Sequence, residues 1–260
     1  MYLMESNILI PKELRRFNRQ MIIPEIGLEG QEKLKKTSAL VIGAGGLGVP
    51  VLQNLSAAGV GRIGIVDAGM VDEDVMMRQT LFGDKELGKL RSIAAREKLA
   101  LYNPLSEYEV INLKITSHNI LKILSDYILV IDATNQPSMH FMVNDACIIL
   151  GKPFVYGHVS QYDGQWSLFN YHGGPSLRCL YQDTAQMNAG TVNHHAGAIV
   201  MTYGITGTMM AWEAVNAGME TEQSSSGFLV RFHLFSYSLK RIPVKKDNKN
   251  FSITGMDISY

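Results

Sequence analysis

A chain of 260 residues, 46% of them hydrophobic and with 24 Lys and Arg balanced by 24 Asp and Glu, can bury one large core. Zero formal net charge removes the electrostatic footprint of a nucleic-acid binder, and the longest stretch without a charged residue or histidine, Ala196 to Trp212, is too short and too rich in threonine for a membrane span. Two cysteines, Cys147 and Cys179, cannot build a disulfide framework or a four-thiolate zinc site, which points to a reducing, cytoplasmic setting.

In chain order, Met1 to Ile10 carries Glu5 and no basic run, so it does not read as a signal peptide. Residues 1–37 read as an N-terminal helical arm. Ser38 to Ile42 is a short apolar strand that ends in a glycine-rich turn, followed by Val51, Leu52 and Leu55 at helical spacing up to Gly59. Further strands are expected at Arg62 to Asp67, Glu107 to Ile115, Tyr127 to Asp132 and Pro153 to Val159. Helices are expected at Leu87 to Leu101, Asn119 to Leu124 and Met139 to Leu150, with Cys147 buried on the last. This alternation predicts an α/β fold, a Rossmann-like, doubly wound, mainly parallel sheet over 38–160. In 161–260 the sheet is extended by antiparallel strands, at Gln165 to Tyr171 and Phe228 to Val244, continuous with the preceding part. Between them lie an aperiodic loop from Tyr171 to Asn193 and a buried helix from Ala196 to Ala217. The last dozen residues are expected to be loosely held. Met70, Met76, Met77, Met209 and Met210 read as core fillers, and Asp72-Glu73-Asp74 as a solvated acidic loop.

The turn itself is Gly43-x-Gly45-Gly46-x-Gly48, set between a buried strand and a helix. Glycines let the backbone approach a phosphate closely, and the helix N-terminus offers free N–H groups and partial positive charge. Asp67 ends the next strand, where a carboxylate can accept hydrogen bonds from ribose hydroxyls. Together these features predict a nucleotide site. The glycine turn alone leaves open a dinucleotide-dependent oxidoreductase.

Surrounding residues narrow the choice. Asn18-Arg19-Gln20 precedes the turn, Val60-Gly61-Arg62-Ile63 leads into Asp67, and Arg78-Gln79-Thr80-Leu81-Phe82 follows it. Farther on come Gly88, Ile131-Asp132-Ala133-Thr134, Cys179-Leu180 and Glu213-Ala214. This ordered set, spanning Phe17 to Asn216, resembles the ubiquitin-activating-enzyme-like adenylyltransferases of the ThiF/MoeB/HesA group. The resemblance implies ATP and magnesium as cofactors and a carboxylate joined to AMP with release of pyrophosphate. That carboxylate would be the C-terminal glycine of a ubiquitin-like carrier, or belong to a peptide or small molecule. It also implies that Gly43, Gly45, Gly46 and Gly48 cradle phosphates, that Asp67 holds the ribose, and that Arg78 and Gln79 face the triphosphate. Arg19 would reach the γ-phosphate of a partner across a homodimer, with the 1–37 arm making the dimer contact.

The chain departs from the family pattern at several positions. Val75 stands where an asparagine is usual, and Arg91 where a catalytic lysine is usual, with Lys89 nearby as a second cation. Asn135 replaces the magnesium aspartate and remains a possible neutral magnesium ligand; Asp132 lies three residues too early to substitute for it. Ser176-x-x-Cys179 replaces one half of the usual paired-cysteine motif and no cysteine lies near the end, so no zinc is expected. Asn193 occupies the place of a transfer cysteine, and His194 and His195 read as polar loop residues. These losses leave a second reading beside the active enzyme: an impaired nucleotide-binding subunit that supports an active partner.

Overall fold

Five-residue apolar runs bounded by glycine or polar residues build the central strands, and their alternating side chains supply both faces of one sheet. The structure, a computed structural model, describes residues 6–190, 197–221 and 223–257. Helices α1 (Pro11–Met21) and α2 (Gly27–Lys36) lead into β1 (Ser38–Ile42), α3 (Gly48–Ala58) and β2 (Arg62–Val66). A single turn, α4 (Glu73–Met76), precedes α5 (Arg91–Tyr102) and β3 (Glu107–Ile111). Next come α6 (Ile120–Ser125), β4 (Leu129–Asp132), α7 (Pro137–Leu150), β5 (Phe154–Ser160) and β6 (Asp163–Phe169). The chain continues through α8 (Thr184–Gly190), α9 (Val200–Met219), β7 (Phe228–His233) and β8 (Ser238–Pro243).

The strands form one sheet in the order β3-β2-β1-β4-β5-β6-β7-β8. The pairs from β3 to β5 are parallel and those from β5 to β8 antiparallel, as the change of pattern in the sequence predicts. Alternation divides the core in two. Val41, Ile63, Ile65 and Ile131 face α3, α5 and α9 on one side, while Leu40, Ile42, Val66 and Val130 face α6 and α7 on the other. Because β1 lies between β2 and β4, the chain leaves the sheet in opposite directions on either side of it, and a crevice opens at the strands' carboxyl ends.

Four expectations need correction. Helix α5 begins at Arg91 rather than Leu87, because 87–90 is drawn out along 69–71: Val71 N–H donates to Lys89, Gly88 N–H to Val71 and Arg91 N–H to Gly69. The Tyr171 to Asn193 segment is not structureless, since it contains a 3-10 turn at Leu177–Cys179 and α8. The last dozen residues are held at their start, where Asn250 Nδ2 donates to Cys179 Sγ next to Asp247 N–H. Helix α9 is only partly buried: Met201, Ile205 and Trp212 are exposed at helical spacing.

Other expectations hold or divide. Cys147 is fully buried, which pushes its thiol pKa well up, and Asp72, Glu73 and Asp74 are exposed. Met210 is a core residue, but Met70 and Met77 are exposed because their segment borders the crevice instead of lying beneath a helix.

Candidate nucleotide site

The glycine turn crosses the crevice mouth. Gly43 has φ +98°, and its N–H donates to Val66 O at 2.8 Å, so the chain turns away from β1 in a conformation that favours glycine. Gly48 opens α3, where a Cβ would stand 1.8 Å from Gly43 O, too close for any other residue. Gly45 has open space around its Cα, and Gly46 lies under the ring of Tyr203. The backbone of Gly45, Gly46 and Leu47, leading into α3, lines this end of the cleft, while in the first turn of α3 itself Val49 N–H donates to Gly45 O at 2.9 Å and Pro50 has no N–H.

The cleft encloses about 690 Å³ and is lined by the glycine turn, Asp67, Arg78, Gln79, Arg91, Asn135 and Tyr203, with Leu113 and Ile115 beyond Asp67. Asp67 is nearly buried. Its Oδ2 accepts Ala44 N–H at 2.7 Å, while Oδ1 accepts Gly69 N–H and two donors of the Arg91 guanidinium. Arg78 lies 5.7 Å from the centre of the Tyr203 ring. Gln79 is buried, and its Oε1 has no hydrogen-bond partner among the described residues, an acceptor held ready at the cleft wall.

Asn135 follows β4 with φ +57° and is pinned to β5: its Nδ2 donates to Val159 O at 3.2 Å, and Val159 N–H donates to its Oδ1 at 2.9 Å. The strand end behind it is fixed by Asp132. One oxygen of Asp132 accepts from both the N–H and the hydroxyl of Thr134, and the other lies 2.7 Å from Nδ1 of the buried His140. Asp132 therefore shapes the β4–α7 turn from below and takes no place on the cleft wall.

Nine of the sequence-picked residues thus gather on or around one cleft: Gly43, Gly45, Gly46, Asp67, Arg78, Gln79, Arg91 and Asn135 line it, and Gly48 closes the turn behind. Two do not join them. Lys89 points to Glu97 at 3.8 Å, and Arg19 is exposed in the last turn of α1. Asn193, His194 and His195 lie outside the described residues. Tyr203 and Gly69 were not picked from the sequence. Tyr203 is one polar residue among the threonines of α9 and carries only a weak signal, and Gly69 gives none beyond its closeness to Asp67.

A second cavity, of about 1000 Å³, lies between α9 and β6–β8 and is lined by Trp166, Trp212, Glu213 and Arg241. Its glycines, Gly173, Gly174 and Gly227, do not open an α-helix, and its buried carboxylate, Glu213, already accepts Ser225 N–H at 2.9 Å. The smaller cleft, with its convergent phosphate-binding features, is the better candidate.

The profile of the ThiF family matches residues 17–253. The chain is 39% identical to the sulfur carrier protein adenylyltransferase of Thermus thermophilus over 91% of its own length and 89% of that protein. It is 32% identical to the probable adenylyltransferase/sulfurtransferase MoeZ of Mycobacterium tuberculosis, covering 96% of this chain and 64% of that one. Of an adenylyltransferase and sulfurtransferase MOCS3 from Xenopus laevis it spans 54%, at 32% identity over 93% of its own length. Among solved structures, E. coli MccB with ATP superposes with a TM-score of 0.77 at 15% identity, covering 87% of this chain and 69% of that one, a likeness of fold.

Proposed function

The chain belongs to the ThiF family, and on that premise we propose how its cleft performs adenylyl transfer. The enzyme is an ATP-dependent adenylyltransferase that activates a carboxylate. A carboxylate oxygen attacks the α-phosphorus of ATP, the bond to the bridging oxygen breaks, and pyrophosphate leaves an acyl-AMP. Negative charge grows on the departing phosphates, so the protein's work is placement and charge compensation rather than covalent chemistry.

The observation that carries this reading is the convergence of the glycine turn, Asp67, Arg78 and the orphaned Gln79 acceptor in one cleft at the sheet's switch point. The α3 N-terminus and the turn receive phosphates, Asp67 receives the ribose, and the apolar Leu113 and Ile115 beyond Asp67 flank the base. Arg78, steadied by Tyr203, faces the triphosphate. The residues present suit magnesium only as an ion brought in on the triphosphate: among the described lining residues the one carboxylate, Asp67, is already held by four donors, and the other side-chain oxygens, such as Gln79 Oε1 and Asn135 Oδ1, are neutral. When bound, magnesium would neutralise phosphate charge.

Arg19 cannot be assigned to its own cleft, since it does not line it, and the reading gives it to a partner's γ-phosphate in a homodimer. The exposed Met201, Ile205 and Trp212 of α9, with Ile22 and Ile23 after α1, support such an association. The carboxylate we assign is the C-terminal glycine of a ubiquitin-like carrier, in keeping with the sulfur carrier named for the Thermus relative. A peptide or small-molecule acid is the other acceptor class. No helix among the described residues is long and apolar enough to cross a membrane.

Carboxylate-dependent exchange of labelled pyrophosphate into ATP tests this function. Exchange should be present in the wild type and fall by about tenfold or more in Arg19→Ala and Asp67→Ala, each of which removes a charged contact. The engagement of Arg91 by Asp67 and of Asn135 by Val159 favours one rival, a subunit that binds nucleotide for an active partner. No exchange alone, together with stimulation of a lysine-bearing homologue, would establish that rival instead.

A further inference from the structure

Arg91 occupies the first position of α5, and its guanidinium is committed. Nε and Nη2 both donate to Asp67 Oδ1, at 3.1 and 2.9 Å, and Gly69 N–H donates to the same oxygen at 2.7 Å. Ala44 N–H donates to Oδ2, also at 2.7 Å. An ionised carboxylate has about four acceptor positions, two on each oxygen. Three donors close Oδ1, and one leaves Oδ2 with a single remaining position. Asp67, held in this way, can take one more donor and not two.

Gly69 supplies an independent sign that the guanidinium belongs there. A Cβ at this position would stand 2.1 Å from Arg91 Nη2 and 2.6 Å from Cζ, yet the backbone of Gly69 is not in the left-handed region. The missing side chain therefore answers to the arginine's seat and not to a turn. Backbone contacts lock the same seat: Arg91 N–H donates to Gly69 O at 2.9 Å, and Ser92 Oγ donates to Asp67 O at 2.8 Å. A cation acting on phosphate would have to abandon charge-assisted bonds to a nearly buried carboxylate.

We propose that Arg91 is a positioning residue for sugar recognition: by closing Oδ1 and leaving one position on Oδ2, it makes Asp67 select a single hydroxyl of the nucleotide ribose. This rests on the reading of the cleft as an ATP site. It separates Arg91 from Arg78, which carries the charge compensation at the triphosphate.

Calorimetric titration with ATP, 2′-deoxyATP, 3′-deoxyATP and inorganic tripolyphosphate, with no acceptor present, tests the proposal. The wild type should bind ATP about tenfold or more tighter than one deoxy analogue and equally to the other, the scale of one hydrogen bond to a charged group. Arg91→Ala should weaken ATP and reduce that discrimination to under about threefold while leaving tripolyphosphate binding unchanged. Gly69→Ala should act in the same direction with the cation still present, and Arg91→Lys should fall between. Unchanged tripolyphosphate binding also shows that each variant is folded. Loss of tripolyphosphate binding in folded Arg91→Ala, full sugar discrimination in that variant, or a wild type that binds ATP without discriminating either sugar would each overturn the proposal. A wild type that binds no ATP would overturn the reading of the cleft itself.

Discussion

The glycine-turn end of the sheet, which lines the cleft, and the root of the long connection after β6, which does not, are held by different means. At the glycine turn the backbone does the work: Gly43 bonds to the end of β2, Ala133 N–H bonds to Ile42, and Gly48 lies against Gly43 with no room for a side chain. The loop root is held by side chains. Asn144 Oδ1 accepts Leu177 N–H, the Arg178 guanidinium forks onto the buried Asp145, and Cys179 Sγ gathers donors from Ser176, Asp247 and Asn250. Burial by itself would push the Cys179 thiol up, but these donors outweigh it and hold the pKa below its ordinary value. The turn is built from fixed backbone, whereas the loop root is a set of separable polar contacts.

The largest expected effect lies at the turn. Gly48→Ala should abolish ATP binding, because its Cβ collides with a carbonyl that cannot move without displacing β1. The titration that shows binding in the wild type checks this, and a variant that binds ATP normally would break the picture of a rigid receptor.

At the loop root, Arg178→Ala strips a bidentate partner from a buried carboxylate and should cost about 3 kcal/mol in urea unfolding. Cys179→Ala, which removes an acceptor of weaker hydrogen bonds, should cost about 1 kcal/mol. Both should bind ATP as the wild type does. If either weakens ATP binding as much as Gly48→Ala, the two regions are one cooperative unit and the contrast fails.

The smallest effect concerns Glu213, on the α9 side of the sheet. Burial raises its pKa, only partly offset by hydrogen bonding from Ser225. A carboxyl raised in the folded state binds more protons there than in the unfolded chain, so it contributes stability at low pH that is lost as pH rises through the folded value. Glu213→Gln should flatten that decline above the ordinary carboxylate range, measured as unfolding midpoint against pH, without changing nucleotide affinity. An unaltered slope would remove Glu213 as its source.

Much of this was legible from the chain because it is local. Ser38 to Ile42 followed by the glycine turn, and Asp67 at the next strand end, are short-range patterns with a direct physical cause, and the switch from parallel to antiparallel pairing follows from the change of rhythm after Ser160. Contacts across sequence were not legible. Nothing near Arg91 reveals that it will grasp Asp67, since that depends on 87–90 pairing with 69–71 instead of extending a helix. Nor does Cys179 announce that Asp247 and Asn250 will close on it, a contact 68 and 71 residues away along the chain. Residues chosen for charge or turn chemistry could be found; those chosen to leave room, such as Gly69, became visible only in three dimensions.

Transfer of label from α-phosphate-labelled ATP to a ubiquitin-like carrier ending in glycine tests the central claim most directly. The account predicts a carrier-bound AMP that forms only with ATP and the free terminal carboxylate and is discharged by hydroxylamine. ATP bound tightly in the cleft, with no labelled adenylate on the carrier or on any peptide or small-molecule acid supplied, would contradict it.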